Sequence, residues 1–292
     1  MTKIAVDVEG TQVVLSNLDK VLYPSVGFTK GQVLDFYTRI APVLLPHLAG
    51  RALTRKRYPD GVEGPAFFEK NAPRGTPDWV RIETLASPGS TKGRETIDYV
   101  VVQNLPTLVW TANLASLELH THMWRVGREA PDLIVFDLDP GPPATIVECC
   151  QVALLLRPLL EADGLEPVAK TSGSKGMQLY ARADSFSSSD ETSAYAKGLA
   201  QKLERDHPDL VLHRMTKSRR PGKVLVDWSQ NSSAKTTISV YSLRARERPT
   251  VSTPVTWDEV AACAAPADLV FTSDDVLARV EQHGDLFAPL LG

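Results

Sequence analysis

The sequence predicts one mixed domain of helices and strands, α+β or α/β. Three observations predict it. Apolar segments of helical period are interspersed with apolar runs of strand length. Hydrophobic residues make up 43% of the 292, enough for a sizeable core. No glycine/serine linker or internal repeat divides the chain, so residues 1–292 form a single expected unit. In chain order, Thr29 is placed to cap a helix over 29–48, with Val33, Phe36, Tyr37, Ile40, Val43 and Leu44 at helical spacing. Residues 51–70 are extended and basic and end in an exposed Phe67-Phe68 pair. The stretch 71–94 is rich in Pro, Gly, Ser and Thr, which predicts loop with short extended pieces. A helix is predicted over 105–119, a strand over 133–140 and a helix over 144–162. Strands at 166–171 and 177–182 flank a glycine-rich turn, and a helix follows over 191–206. Strands at 211–213, 224–228 and 236–241 and a closing helix over 274–283 complete the pattern.

Composition excludes several classes. No apolar stretch approaches the roughly 20 residues of a membrane span, and the N-terminus lacks the apolar core of a secretory signal. The three cysteines are Cys149, Cys150 and Cys263. An odd count, with two adjacent in a helix, fits reduced thiols better than a disulfide frame or a zinc site. A cytoplasmic protein is expected. The net charge of −3 argues against a globally basic nucleic-acid binder, yet the cations cluster. Arg51, Arg55, Lys56 and Arg57 form one group, Arg214, Lys217, Arg219, Arg220 and Lys223 a second, and Arg244, Arg246 and Arg248 a third. Each is either a solvated face or a local phosphate-binding surface.

The segment Leu133-Ile-Val-Phe-Asp-Leu-Asp-Pro140 is the most informative. Its apolar run predicts a buried strand, and Pro140 ends it. Strand geometry sends Asp137 and Asp139 to one face, roughly 6–7 Å apart. Taken alone, the pair is either a solvated strand end or a site for a hard cation such as Mg²⁺ or Mn²⁺. Thr171-Ser-Gly-Ser-Lys-Gly176 is either a glycine-rich hairpin turn or an anion nest in which Ser172, Ser174 and Lys175 add donors and charge. It lacks the Walker A spacing. In Lys223-Val-Leu-Val-Asp-Trp-Ser-Gln-Asn231, Asp227 ends another apolar strand. A third carboxylate would complete an oxygen cage for two cations roughly 3.5–4 Å apart, an arrangement suited to phosphoryl transfer.

These segments, in this order, resemble the archaeo-eukaryotic primase superfamily, and within it the polymerase domain of bacterial DNA ligase D, which serves non-homologous end joining. The resemblance covers essentially the whole chain. It includes Asn17-Leu-Asp-Lys-Val-Leu-Tyr-Pro24, Thr54-Arg-Lys-Arg57, Pro65-Ala-Phe-Phe-Glu-Lys70, Lys235-Thr-Thr-Ile238 and Tyr241-Ser-Leu-Arg244 beside the three segments above. It implies an α+β fold with central mixed or antiparallel sheets, an RRM-like palm over about 131–292 and a DNA-end-binding part over about 1–130. It implies that Asp137, Asp139 and Asp227 bind two divalent cations, Mn²⁺ or Mg²⁺. Ser172, Lys175 and Arg244 match contacts to the nucleotide phosphates, and His120 and Gln230 match polar groups around the incoming nucleotide. Lys20 and Lys30 match the lysines that hold a DNA 5′-phosphate, and Phe67 and Phe68 match aromatics that meet the template. Lys56, Arg57 and Arg220 match basic contacts to DNA or nucleotide. The implied partners are DNA with a gap or 3′ overhang and a 5′-phosphate, NTP or dNTP, Ku and a separate DNA ligase, in the bacterial cytosol and nucleoid. The implied activity is template-dependent nucleotide addition with ribonucleotides favoured.

One departure stands out. The family usually carries a histidine two residues after the position of Gly176, and this chain has Met177-Gln178. Gln178 can donate to a phosphate oxygen but cannot carry a proton. If the histidine stabilises leaving pyrophosphate, slower or more Mn²⁺-dependent catalysis follows. Two rival functions remain. One is a catalytically weak scaffold that binds DNA ends. The other is a phosphatase of the haloacid dehalogenase type, whose nucleophile motif Phe136-Asp-Leu-Asp139 resembles, although here the motif lies mid-chain and precedes Pro-Gly-Pro-Pro. No Lys-x-Asp-Gly adenylation motif occurs, so the chain is expected to be a stand-alone homologue of the polymerase domain or a piece of a longer ligase; Met1 and the closing helix favour the former.

Overall fold

Capping chemistry sets the helix starts. The Thr29 hydroxyl accepts the Gln32 N–H, and the Gln32 side chain accepts the Thr29 N–H at 2.8 Å, so the first helix is Lys30–Leu48. Thr145 and Glu148 form the same box at the start of Ile146–Ala162, and Ser188 caps Ser189–Asp206. The computed structural model describes residues 3–87, 95–128 and 130–292, without the side chain of Lys217; the 88–94 part of the expected loop lies outside the described residues. Within the rest of that loop, Ile82–Ala86 is a strand.

The helix expected over 105–119 is corrected. It is Leu105–Asn113, after which Ala115 takes a φ of +56° and Ser116–Thr121 forms a buried strand. Leu117 and Leu119 enter the core while Glu118 and His120 alternate with them. This period of two was hidden by apolar residues that also fit a helix. The hairpin of Lys3–Val8 and Thr11–Ser16 and the strand Thr96–Val101 were likewise not foreseen.

Two six-stranded sheets carry the architecture, which is α+β. In the first, Val211–Leu212, Val224–Asp227, Leu133–Pro140, Met177–Arg182, Val168–Thr171 and Pro254–Val255 lie side by side in that order. All these pairings are antiparallel except that of Val211–Leu212 with Val224–Asp227. The second runs Thr237–Ile238, Ser116–Thr121, Ala52–Arg57, Thr96–Val101, Ile82–Ala86, with Phe67–Glu69 also paired to Ala52–Arg57.

Strand parity decides which face of the first sheet is free. Ile134, Phe136, Leu138, Leu179, Ala181, Val224 and Val226 pack under Cys149, Val152, Leu156, Ala196 and Ala200 of the two long helices. Leu133, Val135 and Tyr180 point the other way, into a core shared with Leu117, Leu119 and Val240. Asp137 and Asp139 continue the Leu133–Val135 parity, so the acids emerge opposite the helices. The expectation that Arg51 and Arg55 belong to a basic surface is also corrected. Both are buried: Arg51 makes a bidentate ion pair with Asp132, and Arg55 meets Glu69 and Trp110. Among the described residues no helix is long and apolar enough to cross a membrane.

Candidate functional site

Register builds the site. Asp137 is the cross-strand partner of Asp227 on one side and of Gln178 on the other, and Gln178 is in turn the partner of Lys170. Four polar side chains therefore stand in one row across four strands, on the face away from the helices. Asp139 is two residues further along the same face. Gln178 Nε2 donates to Asp137 Oδ1 at 3.0 Å. Asp227 Oδ1 accepts the Ser229 N–H and hydroxyl at 3.1 and 2.6 Å, and Asp227 Oδ2 accepts Gln230 Nε2 at 2.8 Å. Arg220 lies 3.9 Å from Asp139.

The charge balance here is poor. Burial, then repulsion from Asp139 and Asp227, raises the Asp137 carboxyl above the usual range despite the Gln178 bond. Burial also raises Asp139, with Asp227 adding to the effect and Arg220 opposing it. Uncompensated carboxylate oxygens of this kind fit a hard divalent cation. Among the described residues no three acids already converge on one point. Asp227 is instead bonded to Ser229 and Gln230.

The 171–176 loop faces the acids across a cleft of about 310 Å³, whose wall includes His120, Asp137, Asp139, Lys175, Gln230 and Arg244. Gly176 allows the approach, since a Cβ there would collide with the Leu138 carbonyl oxygen. Of the two readings of this loop, the turn is the one its backbone forms: the Ser174 and Gly176 N–H groups donate to Ser172 Oγ, and that of Gly173 to Thr171 Oγ1. Positive charge at the loop comes instead from side chains, Lys175, Arg244 (bonded to the Ser172 carbonyl at 2.7 Å) and Arg246 (bonded to Ser174). A larger cavity of about 610 Å³ lies behind the same loop and shares Ser174, Lys175, Gly176 and Arg246. Asp137, Asp139 and Asp227 do not line it.

Glu118 organises the far wall and carries no signal in the sequence, because its segment also fits the helix predicted over 105–119. Its carboxylate bonds His120 Nε2 at 3.1 Å, accepts the Ala245 N–H at 3.2 Å and lies 3.4 Å from Arg244 Nε. Burial works against ionisation, but the His120 hydrogen bond and the Arg244 charge outweigh it and bring the carboxyl down to about 2. A depressed carboxyl stabilises the fold fully above its unfolded value of 4.5, and this contribution is lost as pH falls toward 2. Urea unfolding should therefore show about 3 kcal/mol of acid-dependent stability over that window that Glu118→Gln lacks. Identical pH profiles for the two proteins would refute this.

The residues matched to DNA contacts fall into two groups. Lys20 pairs with Asp60 at 3.0 Å, and the buried Lys30 donates to the Ser16 carbonyl at 2.6 Å. Burial, then repulsion from Lys20 and Arg57, lowers Lys30 to about 8. Phe67 and Phe68, 45% and 56% exposed, lie across from Arg57 and Lys56 in register. The cations sit 5.3 and 5.4 Å from the ring centres. Phe68 also meets the edge of His120 at 5.5 Å, which links this strip to the cleft.

The family model for the LigD primase-polymerase domain matches residues 29–287. The chain is 46% identical over 279 residues to the multifunctional non-homologous end joining protein LigD of Mycolicibacterium smegmatis, covering 94% of this chain and 36% of that protein. It is 43% identical over 288 residues to the LigD DNA repair protein of Mycobacterium tuberculosis (strain H37Rv), covering 96% and 37%. The chain thus spans little over a third of these relatives. It also superposes on the polymerase domain from Mycobacterium tuberculosis ligase D, solved in complex with DNA, with a TM-score of 0.90, 43% identity and coverage of 96% of this chain and 98% of that one. With nearly the whole chain matched at this identity, the protein belongs to the LigD primase-polymerase domain family.

Proposed function

We propose that this domain is a template-dependent nucleotidyltransferase that adds nucleotides, with ribonucleotides favoured, to 3′ ends at gaps or breaks bearing a 5′-phosphate during end-joining repair. One arrangement carries the reading: an acid pair on one wall of a 310 Å³ cleft faces Lys175, Arg244 and Arg246 on the other. That spacing of opposite charges suits a triphosphate held between cations. Two divalent cations, Mn²⁺ or Mg²⁺, held by Asp137, Asp139 and Asp227, would activate a primer 3′-hydroxyl and offset triphosphate charge. The chain itself supplies the rest. Lys175 and Arg244 bind the phosphates, with Ser172 bracing the loop that presents Lys175. His120 and Gln230 border the nucleotide, and Glu118 holds His120 in place. Phe67 and Phe68 stack on template bases, while Lys56, Arg57 and Arg220 meet backbone phosphate.

Residues 1–130 serve in this reading to hold the DNA end and 131–292 to form the palm. The two work as one unit, since one hydrophobic cluster joins Val13, Leu44 and Leu117 to Val135 and Tyr180. Action in the bacterial cytosol beside Ku and a separate ligase completes the proposal.

The test is template-directed addition on a gapped duplex, with rNTPs or dNTPs and Mg²⁺ or Mn²⁺. DNA binding without any addition under all these conditions would leave only the scaffold reading. A second measurement addresses the 5′-phosphate. Lys20→Ala and Lys30→Ala should each reduce the preference for phosphorylated ends about 10-fold, near 1.4 kcal/mol, in fluorescence anisotropy. An unchanged ratio between phosphorylated and unphosphorylated gaps would remove the lysines from this role.

A further inference from the structure

A lysine buried to 1% exposure needs acceptors for all three of its N–H bonds. Lys170 has them: Gln178 Oε1 at 2.5 Å, Ser252 Oγ at 2.7 Å and the Ile238 carbonyl at 3.1 Å. The polarity of this network follows from its ends. The Ser252 hydroxyl gives its proton to the Thr171 carbonyl at 2.9 Å, so its oxygen is left to accept from Lys170. The Ile238 carbonyl only accepts. As an ammonium, Lys170 therefore donates on every side, and Gln178 turns its oxygen toward it. That choice sends the Gln178 nitrogen to Asp137 Oδ1, at 3.0 Å. Register reinforces it, because Lys170, Gln178 and Asp137 are successive cross-strand partners.

We propose that Lys170 is a positioning residue for the metal acid Asp137, acting through the Gln178 amide. A lone Gln178 could flip and present its oxygen to Asp137, repelling the carboxylate and freeing its rotamer. Lys170 removes that option and holds one Asp137 oxygen on an N–H donor. A histidine in place of Gln178 would be governed alike, accepting from Lys170 on one ring nitrogen and donating to Asp137 from the other. The inference rests on the metal reading of the proposed function.

A rival role for Lys170, simple charge compensation, predicts the opposite sign. Removing a nearby cation should by itself tighten binding of a divalent cation. If positioning dominates, Lys170→Met weakens it, by about 10-fold for a partner of this kind. The experiment is titration of the nucleotide-free and DNA-free chain with Mn²⁺, reading free Mn²⁺ by electron paramagnetic resonance and folding by circular dichroism. The expected results are about 10-fold weaker binding for Lys170→Met and for Gln178→Leu. In the Gln178→Leu background, Lys170→Met should cause no further weakening, since both act along one path. Wild-type or tighter binding by folded Lys170→Met would overturn the inference. Should that variant not fold, Gln178→Leu and the double variant decide, because replacing the polar pair by apolar residues is tolerated better than orphaning one member. Unchanged binding in Gln178→Leu, or a further 10-fold loss in the double variant, would overturn it equally. Absence of Mn²⁺ binding by the wild-type chain would overturn the metal reading itself, an outcome distinct from equal binding by wild type and variants.

Discussion

Asp137→Ala and Asp139→Ala are each expected to reduce nucleotide addition at least about 10³-fold, near 4 kcal/mol of transition-state stabilisation, while leaving gapped-duplex affinity within about 3-fold. The two effects separate because the acids and the DNA strip occupy different elements. The carboxylates stand on Leu133–Pro140, whereas the cations and rings that would meet DNA lie on Ala52–Arg57, Phe67–Glu69 and the N-terminal segment holding Lys20, with Arg220, 3.9 Å from Asp139, as the one cation beside the acids. Removing an acid also relieves repulsion among Asp137, Asp139 and Asp227, so neither variant should be less stable than wild type. Loss of activity without loss of stability is therefore the signature to seek, by single-turnover extension and thermal unfolding of the same samples. Retained extension in either variant would refute the metal assignment. A large drop in duplex affinity would show instead that the cleft and the DNA strip are not separate.

The second large effect is on stability. Asp132→Asn should cost about 3–5 kcal/mol, because it strands a buried guanidinium. Arg51, 3% exposed, gives two parallel hydrogen bonds to Asp132 at 2.8 and 2.7 Å, and Arg125 Nε adds a third at 2.8 Å. This triad ties the start of Ala52–Arg57 in one sheet to the start of Leu133–Pro140 in the other, just upstream of the acids. Burial opposes ionisation of Asp132, but the Arg51 and Arg125 charges outweigh it and hold the carboxyl below its ordinary 3.8. Its contribution is thus complete above that value and is lost as pH falls through the lower folded value. Urea unfolding at neutral pH should show the loss in Asp132→Asn. The pair Arg51→Met and Asp132→Leu should recover much of it, since an apolar pair leaves no orphaned charge. A cost under about 1 kcal/mol for Asp132→Asn would mean that solvent reaches the triad.

The contrast between Asp132 and Asp137 shows what was legible beforehand. Asp137 announced itself through a local pattern: apolar residues running into two acids and a proline. Asp132, one residue before that run, carried no signal, because its meaning depends on Arg51, 81 positions away. Glu118 failed to register for a different reason. Leu117-Glu-Leu119 fits both a helix and a strand, and only the pairing of Ser116–Thr121 with Ala52–Arg57 and Thr237–Ile238 resolves it. Lys170 carries only a faint signal, a lysine in an otherwise uncharged strand five residues before Lys175. Between the two readings open for 171–176, a turn or an anion nest, the sequence could not choose, because glycine content reports only freedom of the backbone; the hydroxyls of Thr171 and Ser172 use that freedom to bond the loop to itself.

By itself, then, the sequence determined whatever depends on near neighbours. Capping boxes started the helices, Pro140 ended the central strand, a period of two sent Asp137 and Asp139 to one side, and the ordered motifs identified the family. Only the tertiary structure decided which side chains share that side. Strand register is fixed by packing on both faces of the sheet, and it alone brought Lys170, Gln178, Asp137 and Asp227 into one row. Chain order separates Asp137 from Asp227 by 90 residues, and no local rule reaches that far.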